Sequence, residues 1–181
     1  MSRAEPDPAR VLALKARIRD VPDYPKPGVL FRDITTMLKD AGAFREMVEL
    51  LAELCDGHGA DTIIAVESRG FILGGALAAR LGMGFVPVRK PGKLPATALR
   101  ASYSLEYGTD SLEIHADAIT PGARALIVDD VIATGGTARA VAELVEKLGG
   151  KVALYAFLIE LTFLPGRAKL AGYEVRSLIR Y

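Results

Sequence analysis

The sequence predicts an α/β fold: a parallel sheet flanked by helices, with a small N-terminal cap and a flexible lid-like excursion. Three observations carry this. The strand-length apolar runs are continuous rather than alternating, segments of helical character separate them, and 181 residues suffice for one core but not two. Strands that are apolar at every position bury both faces, which is the condition of a parallel sheet covered by crossover helices. The expectation is a single domain over 1–181, with the cap at about 1–34 and the excursion at about 90–118.

In chain order, Asp7 followed by Pro8 reads as a helix N-cap with proline at the first helical position, and Val11, Leu14 and Ile18 are spaced to share a face. Pro22, Pro25, Pro27 and Gly28 then break the chain into an extended segment ending at 29–33. A helix over 43–56 buries Phe44, Met47, Val48, Leu51 and Leu54, with Gly57 as its stop. Next come a strand at 62–66, a small-residue-rich helix at 71–81 and a strand at 85–88. A strand at 125–128, a helix at 137–148 and a strand at 152–161 complete the alternation. Between them, 101–107 and 111–115 read as two strands around Gly108, a long excursion of the kind that serves as a lid.

Composition narrows the function. Twenty-three Lys and Arg balance 22 Asp and Glu, which disfavours a protein that coats nucleic acid or anionic membrane by bulk charge. One cysteine, Cys55, and two histidines, His58 and His115, exclude multi-cysteine zinc sites and a three-histidine metal site. The longest apolar run, 152–159, is strand-length rather than membrane-length, and the polar start of the chain lacks a signal-like core. A cytoplasmic setting is the expectation. No G-x-S-x-G elbow is present, so a serine hydrolase is disfavoured.

The most informative string runs through Asp129-Asp130-Val131-Ile132-Ala133-Thr134-Gly135-Gly136-Thr137. A buried strand leads into two carboxylates, a loop of small and hydroxyl residues, and a helix start. Ligands of open parallel sheets bind at the carboxyl ends of the strands. Free N–H groups at a helix start, with the hydroxyls of Thr134 and Thr137, suit a phosphate monoester, and Gly135 and Gly136 permit close approach. Asp129 and Asp130 accept without donating, which suits vicinal ribose hydroxyls. Taken apart, the fragments are also compatible with a solvated strand end and an ordinary capped turn. No Walker lysine and no G-x-G-x-x-G accompany them.

This string resembles the phosphoribosyl-pyrophosphate signature of the type I phosphoribosyltransferases. Four further segments are similar to the adenine-using members of that family: Pro27-Gly28-Val29-Leu30-Phe31-Arg32-Asp33-Ile34, Glu67-Ser68-Arg69-Gly70-Phe71, Val88-Arg89-Lys90-Pro91-Gly92-Lys93-Leu94-Pro95 and Ala101-Ser102-Tyr103-Ser104-Leu105-Glu106-Tyr107-Gly108. Glu160-Leu161-Thr162 is a fifth, and Val131 and Pro91 are small departures. The resemblance implies transfer of the phosphoribosyl group of phosphoribosyl pyrophosphate to adenine, giving AMP and pyrophosphate in purine salvage. It implies phosphoribosyl and pyrophosphate contacts from Ser68, Arg69, Arg89, Lys90, Lys93, Asp129, Asp130, Ala133, Thr134, Gly135, Gly136 and Thr137. Adenine contacts are implied from Leu30, Phe31, Arg32 and Leu161, with Phe31 stacking on the base and Leu161 closing its other face. Glu106 is implied to handle the imidazole proton, and Arg89 to reach the pyrophosphate of a neighbouring subunit in a homodimer.

By pattern alone, Phe31 and Leu161 read as core residues, Glu106 as an exposed strand glutamate and 89–93 as a solvated basic loop. Mg²⁺ is expected to arrive with the pyrophosphate and its waters rather than in a protein cage. The absence of a basic residue in Glu160-Leu161-Thr162 disfavours 6-oxopurines, which need a donor. The rival readings are a transferase for another base and a non-catalytic sensor of phosphoribosyl pyrophosphate.

Overall fold

A computed structural model describes residues 5–104 and 109–181 of the chain. Helix α1 (Pro8–Lys15) begins as expected, the Asp7 side chain accepting from the Ala9 N–H at 2.9 Å. Strands β1 (Arg19–Val21) and β2 (Phe31–Asp33) pair antiparallel and, with the short α2 (Thr35–Leu38), form the cap. Helix α3 (Ala41–Leu54) is capped by Asp40, which accepts from the Ala43 N–H. The main sheet then builds through β3 (Thr62–Val66), α4 (Arg69–Leu81) and β4 (Gly84–Val88). The hairpin β5 (Ala98–Ser104) and β6 (Thr109–His115) intervenes before β7 (Arg124–Ile132), α5 (Gly136–Lys147), β8 (Lys151–Glu160), the short α6 (Gly166–Lys169) and β9 (Val175–Arg180).

Among the described residues the main sheet has five strands in the order β4-β3-β7-β8-β9, all parallel. Neighbouring residues of one strand serve opposite cores. Ile63, Leu126, Val128, Leu154, Ala156 and Leu158 face a cluster with Leu14, Met47, Leu50, Leu51, Leu73 and Leu77. Ile64, Ile127, Tyr155 and Phe157 face a second cluster with Val141, Leu144, Val145 and the hairpin's Ala101, Leu112 and Ile114. This two-sided burial is why the strands read as unbroken apolar runs.

Besides the short β1, α2 and α6, the structure departs from the sequence expectation as follows. It adds β9, whose Val175–Arg180 carries three polar residues among its six and pairs with β8 alone, so no apolar run announces it. It extends β7 to Ile132, because Asp129, Val131 and Ile132 pair with Phe157, Ile159 and Glu160 of β8. The carboxylates therefore lie within the strand rather than beyond its end. The excursion is a hairpin, as expected, but its root is core, tied to the end of β4 by reciprocal backbone bonds between Arg89 and Glu113 of 2.9 and 2.7 Å. Among the described residues no helix is long and apolar enough to cross a membrane.

Candidate active site

The carboxyl ends of β3 and β7 open onto one cavity of about 290 Å³ lined by Glu67, Ser68, Arg69, Lys90, Tyr103, Asp129, Asp130 and Thr137, among others. Six of the expected site residues, Ser68, Arg69, Lys90, Asp129, Asp130 and Thr137, drawn from three sequence segments, thus meet at one place. Parallel strands explain this, since every turn that leaves their carboxyl ends emerges on the same edge.

Two helix starts face this edge. Ser68 precedes α4 and Gly135 precedes α5, and neither start has a side-chain hydrogen bond closing it. The other two long helices, α1 and α3, are both closed by aspartates. Helix starts without a side-chain cap leave N–H donors for an anion. Gly135 takes a left-handed conformation, φ 77°, and a Cβ there would lie 2.5 Å from the carbonyl oxygen of Gly166. A Cβ on Gly166 would in turn sit 2.3 Å from the carbonyl oxygen of Ala133. The loop Ala133-Thr134-Gly135-Gly136-Thr137 is therefore backed, main chain to main chain, by the turn at the start of α6. The missing side chain of Gly135, expected to admit a ligand, thus also serves this internal contact.

The carboxylate pair is held from α4. Arg69 Nε donates to Asp130 in a short ion pair, and Asp130 is buried. Asp129 Oδ1 accepts from the Asp130 N–H at 2.9 Å and lies so close to Gly70 that a Cβ there would approach it to 2.8 Å. Desolvation and the neighbouring Asp130 carboxyl push Asp129 well above the ordinary carboxylate range. Two adjacent carboxyls in a partly dry site resist ionising together, and donors from a ligand relieve that cost.

Glu67, the residue before Ser68 and one with no expected role, organises the cations. Its carboxylate, only 9 % exposed, accepts from the Lys90 N–H at 2.6 Å and from Arg89 Nε and Nη2 at 3.2 and 3.1 Å, and it also pairs with Lys93. Burial alone would raise the Glu67 pKa; these donors outweigh it and bring it below the usual value. Arg89 also donates to the Lys93 carbonyl, so Arg89 and Lys93 stand behind Glu67 rather than lining the cavity themselves. Lys90 reaches the cavity, where Asp110 holds its ammonium in a short ion pair and the Tyr103 hydroxyl lies 3.4 Å away. Burial lowers the Lys90 pKa, but these partners outweigh it and leave it above the ordinary lysine value. Asp110 lies outside every motif, and Tyr103 stands in one without an assigned role; only the hairpin's pairing brings them here.

None of the expected base-binding residues lines this cavity; Phe31 adjoins it through Arg69. The Phe31 ring is half-buried, packed edge-on to Tyr24 at 5.2 Å, with the Arg69 guanidinium 5.3 Å from its centre. Leu30 is 45 % exposed, and Arg32 stacks on Tyr181 at 3.7 Å. Leu161, half-buried, follows β8, its N–H donating to the Ile132 carbonyl. Phe31 and Leu161 are thus not the fully buried core residues their pattern alone suggested. Glu106 lies outside the described residues. His58 is buried at the opposite end of β3, Cys55 is a buried thiol pushed up to about 12 by desolvation, and neither lines the cavity.

A phosphoribosyl transferase domain model matches residues 35–176. The chain is 60 % identical over 168 residues to an adenine phosphoribosyltransferase of a Thermoanaerobacter species, covering 93 % of this chain and 97 % of the relative. The crystal structure of the adenine phosphoribosyltransferase from Thermoanaerobacter pseudethanolicus superposes with a TM-score of 0.93 at 58 % identity, covering 94 % of this chain and 99 % of that one. The Saccharomyces cerevisiae enzyme, solved with an imino-altritol bisphosphate and adenine, superposes at 0.88 with 42 % identity, covering 94 % and 98 %. A cavity built from two helix starts, a carboxylate pair and a basic loop, on a fold shared over nearly the whole length with these enzymes, places the chain in the adenine phosphoribosyltransferase family of type I phosphoribosyltransferases.

Proposed function

We propose that the chain transfers the phosphoribosyl group of 5-phosphoribosyl 1-pyrophosphate to adenine, giving AMP and pyrophosphate, and so salvages purine. The observation that carries this reading is the convergence of Ser68, Arg69, Lys90, Asp129, Asp130 and Thr137 on one cavity. The start of α5, with Thr134 and Thr137, takes the 5-phosphate; Asp129 and Asp130 accept from the ribose hydroxyls. The start of α4, with Ser68, Arg69 and Lys90, takes the pyrophosphate.

In the reaction, the bond from the anomeric carbon to pyrophosphate breaks as the bond to the adenine imidazole nitrogen forms. Positive charge develops on the sugar and negative charge on the leaving group. Donors aimed at the leaving group lower that barrier. Arg69 and Lys90 are held in place by Asp130 and Asp110 before substrate arrives, so little reorganisation is left for the chemical step. Glu106 is proposed to take the imidazole proton as the hairpin closes over the base. Phe31 and Leu161 form the walls of the base slot, and the main chain of Leu30-Phe31-Arg32 pairs with the base edge.

The donor set fits Mg²⁺ carried in with pyrophosphate. Its ligands are proposed to be pyrophosphate oxygens and water, leaving Asp129 and Asp130, which line the same open cavity, to the ribose hydroxyls. When bound, the cation neutralises pyrophosphate charge. The active form is proposed to be a cytoplasmic homodimer in which Arg89 serves the neighbouring subunit, exchanging its bonds to Glu67 and the Lys93 carbonyl for that contact.

The test is a parallel assay of the purified protein with Mg²⁺ and phosphoribosyl pyrophosphate, offering adenine, hypoxanthine, guanine and orotate. Turnover confined to adenine is expected. Turnover of hypoxanthine without adenine overturns the specificity, and binding of phosphoribosyl pyrophosphate with no turnover of any base makes the chain a sensor.

A further inference from the structure

We infer that Tyr181 is a positioning residue that sets the spacing of the adenine slot, an inference resting on the slot reading given above. Its main chain brackets Leu161: the Tyr181 N–H donates to the Glu160 carbonyl at 3.0 Å, and its carbonyl accepts from the Thr162 N–H at 2.9 Å and the Thr162 hydroxyl at 2.6 Å. Its ring holds the other wall. The Arg32 guanidinium lies 3.7 Å from the ring centre and the Lys15 ammonium 4.0 Å from it.

One residue thus ties the strand that carries Phe31 to the segment that carries Leu161. The ring contact matters because Arg32 is otherwise only partly satisfied. Its Nη1 pairs with Asp20, but its Nε is buried without a hydrogen-bond partner, and its side chain is 17 % exposed. An aromatic face is the remaining favourable surface for such a cation. Lys15 adds a second strap, its ammonium donating to the Arg180 carbonyl at 2.6 Å while resting on the same ring. The slot walls come from opposite ends of the chain, and among the described residues no backbone hydrogen bond of the main sheet reaches the cap. Tyr181 adds to the apolar packing of the cap a link aimed at the two slot walls.

Steady-state kinetics of Tyr181→Leu and Tyr181→Phe test this. Losing the ring face is expected to raise the adenine KM about tenfold while the phosphoribosyl pyrophosphate KM stays within about twofold. Phenylalanine keeps the ring and is expected to restore the adenine KM. Tyr181→Met, which retains more apolar bulk, carries the same expectation should the leucine variant not fold. An unchanged adenine KM in the ring-less variants, or an equal rise in both KM values, overturns the role. Phe31→Ala tests the slot itself. If it raises the adenine KM while Tyr181→Leu does not, Tyr181 alone loses its role. If Phe31→Ala leaves the adenine KM unchanged, the slot reading falls and this inference with it.

Discussion

The guanidinium of Arg69 lies 5.3 Å from the ring centre of Phe31 while its Nε pairs with Asp130. A single side chain at the start of α4 therefore touches the expected base wall and the carboxylate pair, coupling the two halves of the site.

Replacing Arg69 by methionine leaves the buried Asp130 without its ion pair. Arg69 is itself 39 % exposed, so the loss is at the low end for a broken pair, about 1–2 kcal/mol in urea denaturation. Catalytic efficiency with phosphoribosyl pyrophosphate is expected to fall by about a hundredfold, since a leaving-group donor goes with it. A fall below threefold refutes this assignment.

The contact between Gly135 and Gly166 makes a second prediction. Alanine at either position places a Cβ within 2.5 Å of a main-chain oxygen, so the loop over 133–137 and the α6 turn must part. Gly166→Ala is expected to lower stability by roughly 1–3 kcal/mol and to raise the phosphoribosyl pyrophosphate KM more than the adenine KM. Thermal melts and kinetics check both. Equal changes in the two KM values would show that the loop does not depend on this backing.

Glu67 and Arg89 form a charge-assisted pair with one partner almost buried. A double-mutant cycle on Glu67→Gln and Arg89→Met is expected to give a coupling energy of about 1 kcal/mol in chemical denaturation. Simple additivity of the two changes would mean that Glu67 does not hold Arg89 in solution.

Asp33 supplies a pH dependence in the cap. The Arg19 side chain and the Thr35 N–H donate to it and hold its pKa at about 2 in place of 3.8. A carboxylate depressed in the folded state stabilises fully above its unfolded pKa and loses that contribution as pH falls through the folded value. The difference in melting temperature between the parent chain and Asp33→Asn is therefore expected to be constant above about pH 5 and to shrink between pH 4 and 2. A difference independent of pH would exclude the ionised pair as its source.

Much of the site was legible because its residues follow strands in short strings. Ser68-Arg69 and the run from Asp129 to Thr137 each sit where a buried strand ends in small residues and a helix begins, a pattern local enough to read directly. The opposite holds for Glu67, Asp110, Tyr103 and Tyr181. Their meaning arises from partners far along the chain: Arg89 for Glu67, Lys90 for Asp110 and Tyr103, Arg32 for Tyr181. Strand β9 escaped for a related reason, since its polar residues hide a strand whose place is decided by β8.

Unbroken apolar runs, a helix start marked by Asp7, and the carboxylate-glycine string determined by themselves that this chain is a parallel α/β protein with its candidate site at the carboxyl edge of the sheet. Only the tertiary structure decided how the cations are neutralised, how Gly166 backs the loop and how the cap meets the sheet. The physical reason is range. Periodicity and capping act within a few residues and leave a mark in the local sequence, whereas ion pairs, ring contacts and backbone-to-backbone packing depend on which distant segments the folded sheet sets side by side.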